Sequence, residues 1–398
     1  MPQNILSQWL NYFKNHRYQK NADIIYQESR DNIANVHGYP TRCFIEITDK
    51  CNLKCKFCGH SFIKVKRTNI PDSVIEKIKP LFPYMSEVWV VGFGESLIDP
   101  RFFDILAMIP KRIMTRYVSN GLLMNREAAR KMVDLRLMDL CISIDAIDEA
   151  SYFQTRGVNG FNKIIENIKV LNEIKQQKGS KYPELRLSYT FFRSNAEKFL
   201  DFIDLAHSLG AVCVSADYLT VYREDLIHES LFWDQELGNR VFKAAQEKCD
   251  KLGMILSLPP SFEEAARTEK PGDQPVCYEP WNFVRFRSNG QLSPCCVNDI
   301  QLGNLEEKSF DEIWNGKDYQ EFRKQVNTFR YDLNCKQCIG WGIRKISDIR
   351  YHIKILDTEG KVVTHPEIHF DPARYQDLSL FNSRKTEPLL QANDLSQK

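Results

Sequence analysis

Six short runs of β-branched and apolar residues alternate with helical patterns between about residues 40 and 220. The runs are CFIEIT, EVWVVG, TRYVSN, LCISID, LRLSYTF and VCVSADY. Nearly continuous apolar runs of this kind are typical of strands buried on both faces of a parallel sheet. Right-handed crossovers between six such units predict an α/β fold, a partial (β/α)6 TIM-like barrel with functional groups at the carboxyl ends of its strands.

Three connecting segments carry helix signals of different kinds. In NKIIENIKVLNEIK an apolar stripe recurs at helical spacing, formed by Ile164, Ile168, Leu171 and Ile174. Asn125 and Asn195 precede helical patterns, where an asparagine side chain is expected to cap the first turn. Gly210 follows the second pattern and is expected to end that helix in a left-handed conformation.

The composition bounds the compartment and the partners. The 398 residues are enough for a large domain and a smaller one. The 54 basic and 52 acidic residues nearly balance, so no nucleic-acid partner is expected. The first twenty residues lack a signal-peptide pattern, and no segment reaches the roughly 20 apolar residues of a membrane span. We therefore expect a cytoplasmic protein without a membrane partner, in which clustered cysteines bind metal rather than form disulfides.

Three of the twelve cysteines lie within eight positions, directly after the first predicted strand. Cys51, Cys55 and Cys58 form a C-x3-C-x2-C loop at the expected mouth of the barrel. A cubane iron–sulfur cluster has four irons, so three thiolates leave one iron free to bind a small chelating ligand. The alternative is a structural zinc site with His60 as the fourth ligand.

The loop and its position resemble the radical S-adenosylmethionine (radical SAM) family. The resemblance implies a [4Fe–4S] cluster whose open iron binds the amino and carboxylate groups of S-adenosylmethionine (SAM). It also implies reductive cleavage of SAM to methionine and a 5′-deoxyadenosyl radical, which abstracts hydrogen from an unactivated C–H bond. Phe57 matches the aromatic residue that precedes the last cysteine in the family, where it packs beside the adenine.

Other predicted strand ends add to this resemblance. VVGFGES resembles the family's GGE-type motif, which implies that Gly94 and Glu95 meet the SAM amino group. Ser96 stands where the family usually has proline. VSNG resembles the T-N-G turn, with a hydroxyl from Ser119.

Two further residues match the family near the fourth predicted strand. SIDA resembles an S-x-D segment and implies that Ser143 lies near the ribose or carboxylate of SAM. Arg156 matches an arginine that follows this strand, and a guanidinium fork suits a carboxylate. The resemblance assigns no catalytic side chain.

A second cysteine group lies downstream and has its own spacing. C-x12-G-x4-C followed by a distant C-x2-C resembles the SPASM extension of radical SAM enzymes. Four cysteines in register imply one auxiliary [4Fe–4S] cluster, as in the shortened Twitch variant, and Cys296 is spare. A zinc-stabilised group of loops is the alternative. The expected ligands are Cys277, Cys295, Cys335 and Cys338.

These features predict five segments along the chain. They are an N-terminal helical extension (1–37), the radical SAM barrel (38–225), a helical linker (226–270), the SPASM/Twitch-type domain (271–345) and a C-terminal extension with a mobile tail (346–398).

The resemblance to SPASM enzymes implies two substrate classes, a ribosomally made peptide and a sugar or aminocyclitol. We favour oxidative modification of a peptide, which predicts a precursor peptide and a separate peptide-recognition protein as partners. A reductant such as ferredoxin or flavodoxin is also expected. A zinc-binding scaffold protein is the alternative of another class. Candidate residues for the wall of the substrate site are Tyr189, Asp217, Tyr218 and Tyr222.

Overall fold

The computed structural model describes residues 16–64, 66–267, 277–296, 300–328 and 355–361. Cys335 and Cys338 lie outside the described residues, as do the first fifteen residues and the expected C-terminal tail.

The described residues form one nine-stranded sheet in the order β7-β6-β5-β4-β3-β2-β1-β8-β9. All adjacent pairs are parallel except β8 and β9, which pair antiparallel. The strands are β1 (Arg42–Ile45), β2 (Glu87–Val90), β3 (Met114–Ser119), β4 (Asp139–Ser143), β5 (Glu184–Phe191), β6 (Cys213–Tyr218), β7 (Ile255–Ser257), β8 (Phe283–Phe286) and β9 (Leu292–Ser293).

Helices connect these strands and cover the outside of the sheet. The α-helices are α1 (His16–Arg30), α2 (Asp72–Ile78), α3 (Phe102–Met108), α4 (Arg126–Asp134), α5 (Glu149–Arg156), α6 (Phe161–Gln177), α7 (Phe199–Ser208), α8 (Gln235–Leu252), α9 (Phe262–Arg267), α10 (Glu279–Asn282), α11 (Phe310–Trp314) and α12 (Lys317–Val326). Short 3-10 helices span Gly59–Ser61, Lys79–Tyr84, Ser96–Ile98, Ala196–Lys198, Glu224–Glu229 and Leu231–Trp233.

The six predicted strands are present as β1 to β6, and their order in the sheet is their order in the chain. Each unit therefore winds onto the neighbouring position, which confirms the partial barrel. The segment expected to be a helical linker contains α8 and α9, but also a seventh strand, β7. Its three residues are too few for a detectable apolar run, and Ile255 is 49% exposed at the edge of the sheet.

The barrel and the auxiliary region share this sheet. Strand β8 pairs in parallel with β1 over four residues, from Arg42 opposite Phe283 to Ile45 opposite Phe286. The β8–β9 hairpin thus continues the sheet beyond the first barrel strand. The limits of the five segments stay a prediction.

The outer face of the sheet carries the hydrophobic core. The predicted stripe of α6 is buried throughout. On β5 alternate residues are buried, and Tyr189 and Phe191 pack their rings against Phe199 of α7. The opposite face of β5, with Ser188 and Thr190, therefore lines the inside of the barrel.

The two expected asparagine caps have different outcomes. The side chain of Asn125 accepts from the Ala128 amide at 2.9 Å, so it caps α4. The side chain of Asn195 instead binds backward, accepting from the Phe192 amide at 2.8 Å. It closes the turn after β5 because the chain enters a 3-10 helix before α7, and the expected cap at Asn195 is wrong. Gly210 follows α7 and adopts a left-handed conformation with φ +73°, as expected.

Candidate iron–sulfur and S-adenosylmethionine site

The C-x3-C-x2-C loop follows β1 and is folded tightly on itself. The Cys58 amide donates to the Cys55 carbonyl at 3.1 Å, and the Ser61 hydroxyl donates to the same carbonyl at 2.6 Å. The Leu53 amide donates to the Cys51 sulfur at 3.4 Å. Cys55 is buried, whereas Cys51 and Cys58 are half-buried, so the loop presents its sulfurs from a folded backbone.

The three thiols are close enough to influence one another. Burial, together with the neighbouring Cys55 and Cys51, raises the pKa of Cys58 to about 11. Burial likewise raises the pKa of Cys51, partly offset by the amide of Leu53. Thiols that are costly to ionise alone become thiolates when a metal supplies the compensating charge. The donor set of three neighbouring sulfurs, one buried and two half-buried, therefore fits an iron–sulfur cluster with one open iron.

The ends of two other strands are tied directly to this loop. The Glu95 amide donates to the Lys50 carbonyl at 2.8 Å, which joins the segment after β2 to the loop. The Asn120 side chain donates to the Asn52 side chain at 2.8 Å, which joins the turn after β3. The structure thus brings the GFGE and SNG segments together at the cysteine loop.

Helix α5, which follows β4, reaches the same loop. The Lys56 amide donates to the Thr155 carbonyl at 3.3 Å. One residue on, Arg156 Nη1 lies 3.5 Å from the Cys55 sulfur. The guanidinium also lies over the ring of Phe57, 5.3 Å from its centroid. Phe57 and Arg156, both predicted from the sequence to contact SAM, are therefore in contact with each other, and Arg156 also contacts a predicted iron ligand.

The segment after β2 is packed against the backbone of the cysteine loop. A Cβ atom placed on Gly94 would lie 2.3 Å from the Thr48 carbonyl oxygen and 2.5 Å from that of Lys50. Only glycine allows this approach. A Cβ on Gly92 would similarly lie 2.3 Å from the Cγ of Glu46. The glycines of GFGE are explained by close packing against the segment after β1.

The carboxylate of Glu95 is fully committed within the protein. It accepts from the Ser119 hydroxyl at 3.1 Å, from the Asn120 amide at 2.8 Å and from the Leu97 amide at 3.4 Å, as well as from the Tyr117 hydroxyl. Burial raises the pKa of Glu95, and these donors partly offset that rise. Glu95 thus joins the ends of β2 and β3, and Ser119 lies in this same network. Their contact with SAM stays a prediction.

Ser143 ends β4 on the inner face of the barrel. Its hydroxyl oxygen accepts from the Ser188 hydroxyl on β5 at 2.9 Å. Among the described residues Ser143 forms no hydrogen bond with the cysteine loop, and its position near SAM stays a prediction.

His60, the ligand of the zinc alternative, is engaged elsewhere. Its Nε2 lies 2.7 Å from the Asp49 carbonyl oxygen, and burial lowers its pKa. In the part of the chain that is described, no three His, Cys, Asp or Glu side chains converge on a single-ion site. The hydrogen bond of His60 favours a structural role for it.

Two of the expected wall residues face away from the barrel interior. Tyr189 donates to the Asn195 carbonyl at 2.8 Å, and Tyr218 donates to the Pro260 carbonyl at 2.9 Å. Both rings are buried among the phenylalanines of the outer layer. Residues alternate between the two faces along a strand, and these two tyrosines lie on the outer face. The expectation that they line the substrate site is therefore wrong. Asp217 lies on the inner face beside Thr190, its partner in register.

Asp217 is the acidic residue among the four candidates for the wall of the substrate site. Solvent reaches its side chain, yet the surrounding protein raises its pKa by desolvation. Tyr222, the fourth candidate, is half-buried, and its ring lies near Gly59 beside the cysteine loop. Asp217 and Tyr222 therefore keep positions compatible with a substrate site.

Sequence reasoning missed a buried ion pair that connects the barrel to the auxiliary hairpin. Arg285 of β8 donates to Glu46 at 3.3 Å, and the same Glu46 oxygen accepts from the Phe93 amide at 2.7 Å. Their side chains are only 9% and 3% exposed. The sequence does contain an indication of this pair: Glu46 lies inside the apolar run CFIEIT and Arg285 inside FVRF. Because buried charges require partners, one charged residue in each run indicates a buried ion pair.

The auxiliary cysteines are described in part. Cys277 is buried, and its amide donates to the Asn327 side chain at 2.8 Å. Cys295 is half-buried and Cys296 is exposed; both lie in a bend after β9. Their difference in exposure agrees with Cys295 as the ligand, which stays a prediction.

Comparisons with known proteins match both regions. A family model described as the Radical SAM superfamily matches residues 45–206, and the SPASM model, an iron–sulfur cluster-binding domain, matches residues 277–339. The fold and the cysteine loop thus define a radical SAM protein with a SPASM domain. The chain therefore contains a radical SAM region and a SPASM region, at residues 45–206 and 277–339. Its two domains imply a SAM-binding [4Fe–4S] cluster, auxiliary iron–sulfur binding and SAM itself.

Individual relatives are more distant. The chain is 25% identical over 321 residues to the tungsten-containing aldehyde ferredoxin oxidoreductase cofactor-modifying protein of Pyrococcus furiosus, covering 74% of this chain and 86% of that protein. It is 21% identical over 340 residues to the antilisterial bacteriocin subtilosin biosynthesis protein AlbA of Bacillus subtilis, covering 81% and 71%.

A solved structure shares the fold. Streptococcus suis SuiB bound to S-adenosylmethionine superposes with a TM-score of 0.59 at 16% identity, over 86% of this chain and 82% of that chain. SuiB has also been solved bound to the precursor peptide SuiA. Among the described helices, none combines the length and apolar character needed to cross a membrane.

Proposed function

We propose that this protein cleaves SAM reductively and uses the 5′-deoxyadenosyl radical to abstract hydrogen from a ribosomally made peptide. The reaction is an oxidative modification, assisted by one auxiliary [4Fe–4S] cluster. The observation that carries the proposal is the loop after β1, where three interacting thiols are joined to the ends of β2 and β3 and to α5.

Cys51, Cys55 and Cys58 would hold the cluster that supplies an electron to SAM. We propose that Phe57 packs against the adenine, and that Arg156 and Ser143 lie toward the carboxylate and ribose. Gly94 keeps its segment against the cysteine loop, and Glu95 with Ser119 fixes the neighbouring strand ends. Because the Glu95 carboxylate already accepts four hydrogen bonds, its negative charge rather than a free oxygen would favour the SAM amino group.

Two relatives support a peptide substrate. AlbA is named for the biosynthesis of a bacteriocin, and SuiB has been solved with a precursor peptide. The partners proposed here are a precursor peptide, a separate peptide-recognition protein and a reductant such as ferredoxin or flavodoxin. Asp217, inside the barrel, is proposed to meet a hydrogen-bond donor of the peptide.

Formation of 5′-deoxyadenosine tests the proposed chemistry. Purified, iron-reconstituted protein incubated anaerobically with SAM and dithionite is expected to produce it, and Cys55→Ala is expected to abolish the product by removing an iron ligand. Cys249→Ala is the matched control, because Cys249 is a fully buried apolar residue of α8. Product formation by Cys55→Ala at the wild-type rate would contradict the assignment.

The substrate class needs a separate test. A candidate precursor peptide, encoded by a short reading frame beside the gene, is prepared with deuterium at its carbon-bound positions. Transfer of deuterium to 5′-deoxyadenosine, with loss of two hydrogen atoms from the peptide, is the expected result. If 5′-deoxyadenosine forms but contains no deuterium with any such peptide, the substrate is of another class.

A further inference from the structure

A cation lies against one of the proposed cluster ligands. Arg156 Nη1 donates toward the Cys55 sulfur over 3.5 Å, and only 8% of the Arg156 side chain is exposed. A guanidinium does not lose its proton in a protein, so this charge is permanent. Water screens it little at this depth, because the surrounding protein has a low effective dielectric constant.

The position of this cation is fixed by Asp145. Arg156 Nη2 donates to Asp145 Oδ2, and Asp145 Oδ1 accepts from the Thr190 amide at 2.6 Å. Asp145 is 1% exposed and adopts φ +58°, a left-handed conformation that is uncommon outside glycine and that persists where the surroundings hold it. The ring of Phe57 covers the guanidinium. The charge is therefore held by β4, β5 and the cysteine loop together.

We propose that Arg156 and Asp145 set the reduction potential of the cluster held by Cys51, Cys55 and Cys58, in opposite directions. This inference rests on the proposed function. Reduction adds one negative charge to a cluster, so a nearby cation stabilises the reduced form and raises the potential. Hydrogen bonds to cluster sulfurs and net local charge are the established means of such tuning. Asp145 offsets part of the positive charge and therefore lowers the potential.

The role differs from that of a SAM ligand alone. Arg156 as a carboxylate ligand would affect only the complex with SAM, whereas the contact with the Cys55 sulfur acts in the absence of SAM. The decisive measurement is therefore the midpoint potential of the SAM-responsive cluster, determined by EPR-monitored redox titration of anaerobic protein without SAM.

Three variants are expected to change the midpoint potential in different directions or by different amounts. Arg156→Gln removes the cation and is expected to shift the midpoint to a lower potential. Asp145→Asn removes the anion, keeps an acceptor for Nη2, and is expected to shift it higher. Arg156→Lys keeps the charge but not the fork, so its midpoint is expected between those of Arg156→Gln and wild type. Iron content measured in parallel should match wild type.

Two results would overturn the proposal. One is a wild-type midpoint in Arg156→Gln with full iron content. If Arg156→Gln loses iron, the midpoint potentials of Asp145→Asn and Arg156→Lys test the proposal instead. The proposal is then overturned if the midpoint of Asp145→Asn shifts to a lower potential or does not shift. Wild-type protein that binds no iron or forms no 5′-deoxyadenosine would refute the proposed function instead, whereas normal cleavage with unchanged potentials refutes only this inference.

Discussion

Gly94 shows how a single missing side chain positions the site. Its Cα lies so close to the carbonyl groups of Thr48 and Lys50 that an added methyl group has no space. The contact is with backbone, which cannot rotate away as a flexible side chain can. The GFGE segment and the cysteine loop therefore depend on this residue for their separation.

We expect Gly94→Ala to destabilise the protein by about 1–3 kcal/mol, as overpacking of a filled interior does. The segments would move apart, so SAM affinity should also fall. Urea unfolding and equilibrium binding of SAM measure the two effects. Gly59→Ala is the control, because its Cβ would meet the movable tip of Ile63 at 3.2 Å. Equal behaviour of the two variants would contradict this account.

Individual residues were predictable from the sequence to different degrees. Phe57 and Arg156 were expected at the site and are found in contact beside Cys55. Tyr189 and Tyr218 were placed correctly along their strands but on the wrong face, because the alternation of apolar and polar residues in ELRLSYTF and CVSADY puts both tyrosines in register with the buried apolar residues. Asn195 has the composition of a cap, yet local turn geometry captured its side chain.

Strand β8 is one of the elements that join the auxiliary region to the barrel. It pairs with β1, and its Arg285 reaches the carboxylate of Glu46. The same carboxylate accepts from the amide of Phe93 in the GFGE segment. One buried ion pair thus connects the auxiliary hairpin with the segment that packs on the cysteine loop.

Breaking this pair should be costly, because it leaves a buried carboxylate without its cation. We expect Arg285→Met to lower the free energy of unfolding by about 3–5 kcal/mol. Adding Glu46→Gln should restore part of that loss, since the remaining partner is then neutral. Urea denaturation of both single variants and the double variant measures the coupling.

An exposed ion pair provides the comparison. Arg240 and Glu197 are 2.9 Å apart with side chains 65% and 76% exposed, so Arg240→Met should change stability by less than about 1 kcal/mol. A similar small change in Arg285→Met would show that the pair between β8 and β1 contributes little.

Elements with strong periodicity were the easiest to predict. The six apolar runs became β1 to β6, and the stripe of α6 is buried as expected. Strand β7 was missed because three partly exposed residues carry no pattern. The pairing of β8 with β1 joins residues about 240 positions apart, and neither segment alone records that contact.

At the scale of the whole molecule, one continuous sheet connects the loop of Cys51, Cys55 and Cys58 after β1 with the hairpin of β8 and β9, which lies between Cys277 and Cys295 in the chain. The spacing of Cys51, Cys55 and Cys58 and the register of Cys277 and Cys295 led to the same two domains that the family models match. The linkage through β8 could not be predicted, because it depends on tertiary contacts between distant segments. The sequence also leaves the peptide or other substrate unspecified.

If the two cysteine groups hold separate clusters, a substitution in one group should remove only the iron and the activity that depend on that group. Cys277→Ala is expected to lower the iron content from about eight to about four atoms per chain, as loss of one cubane cluster requires. Cleavage of SAM without substrate should persist, while turnover of substrate should fail. Cys296→Ala should keep all its iron, since that exposed residue is predicted not to be a ligand. Full loss of iron in Cys277→Ala, with the fold intact by circular dichroism, would contradict two independent sites.

We infer above all that three cysteines hold a cluster whose remaining iron binds SAM. The EPR spectrum of the reduced, reconstituted protein, recorded before and after SAM is added under anaerobic conditions, tests this inference. We expect SAM to change the g values of one cluster in wild type, and we expect this response to be absent in Cys55→Ala. An identical spectrum with and without saturating SAM, from wild-type protein with full iron content, would contradict it.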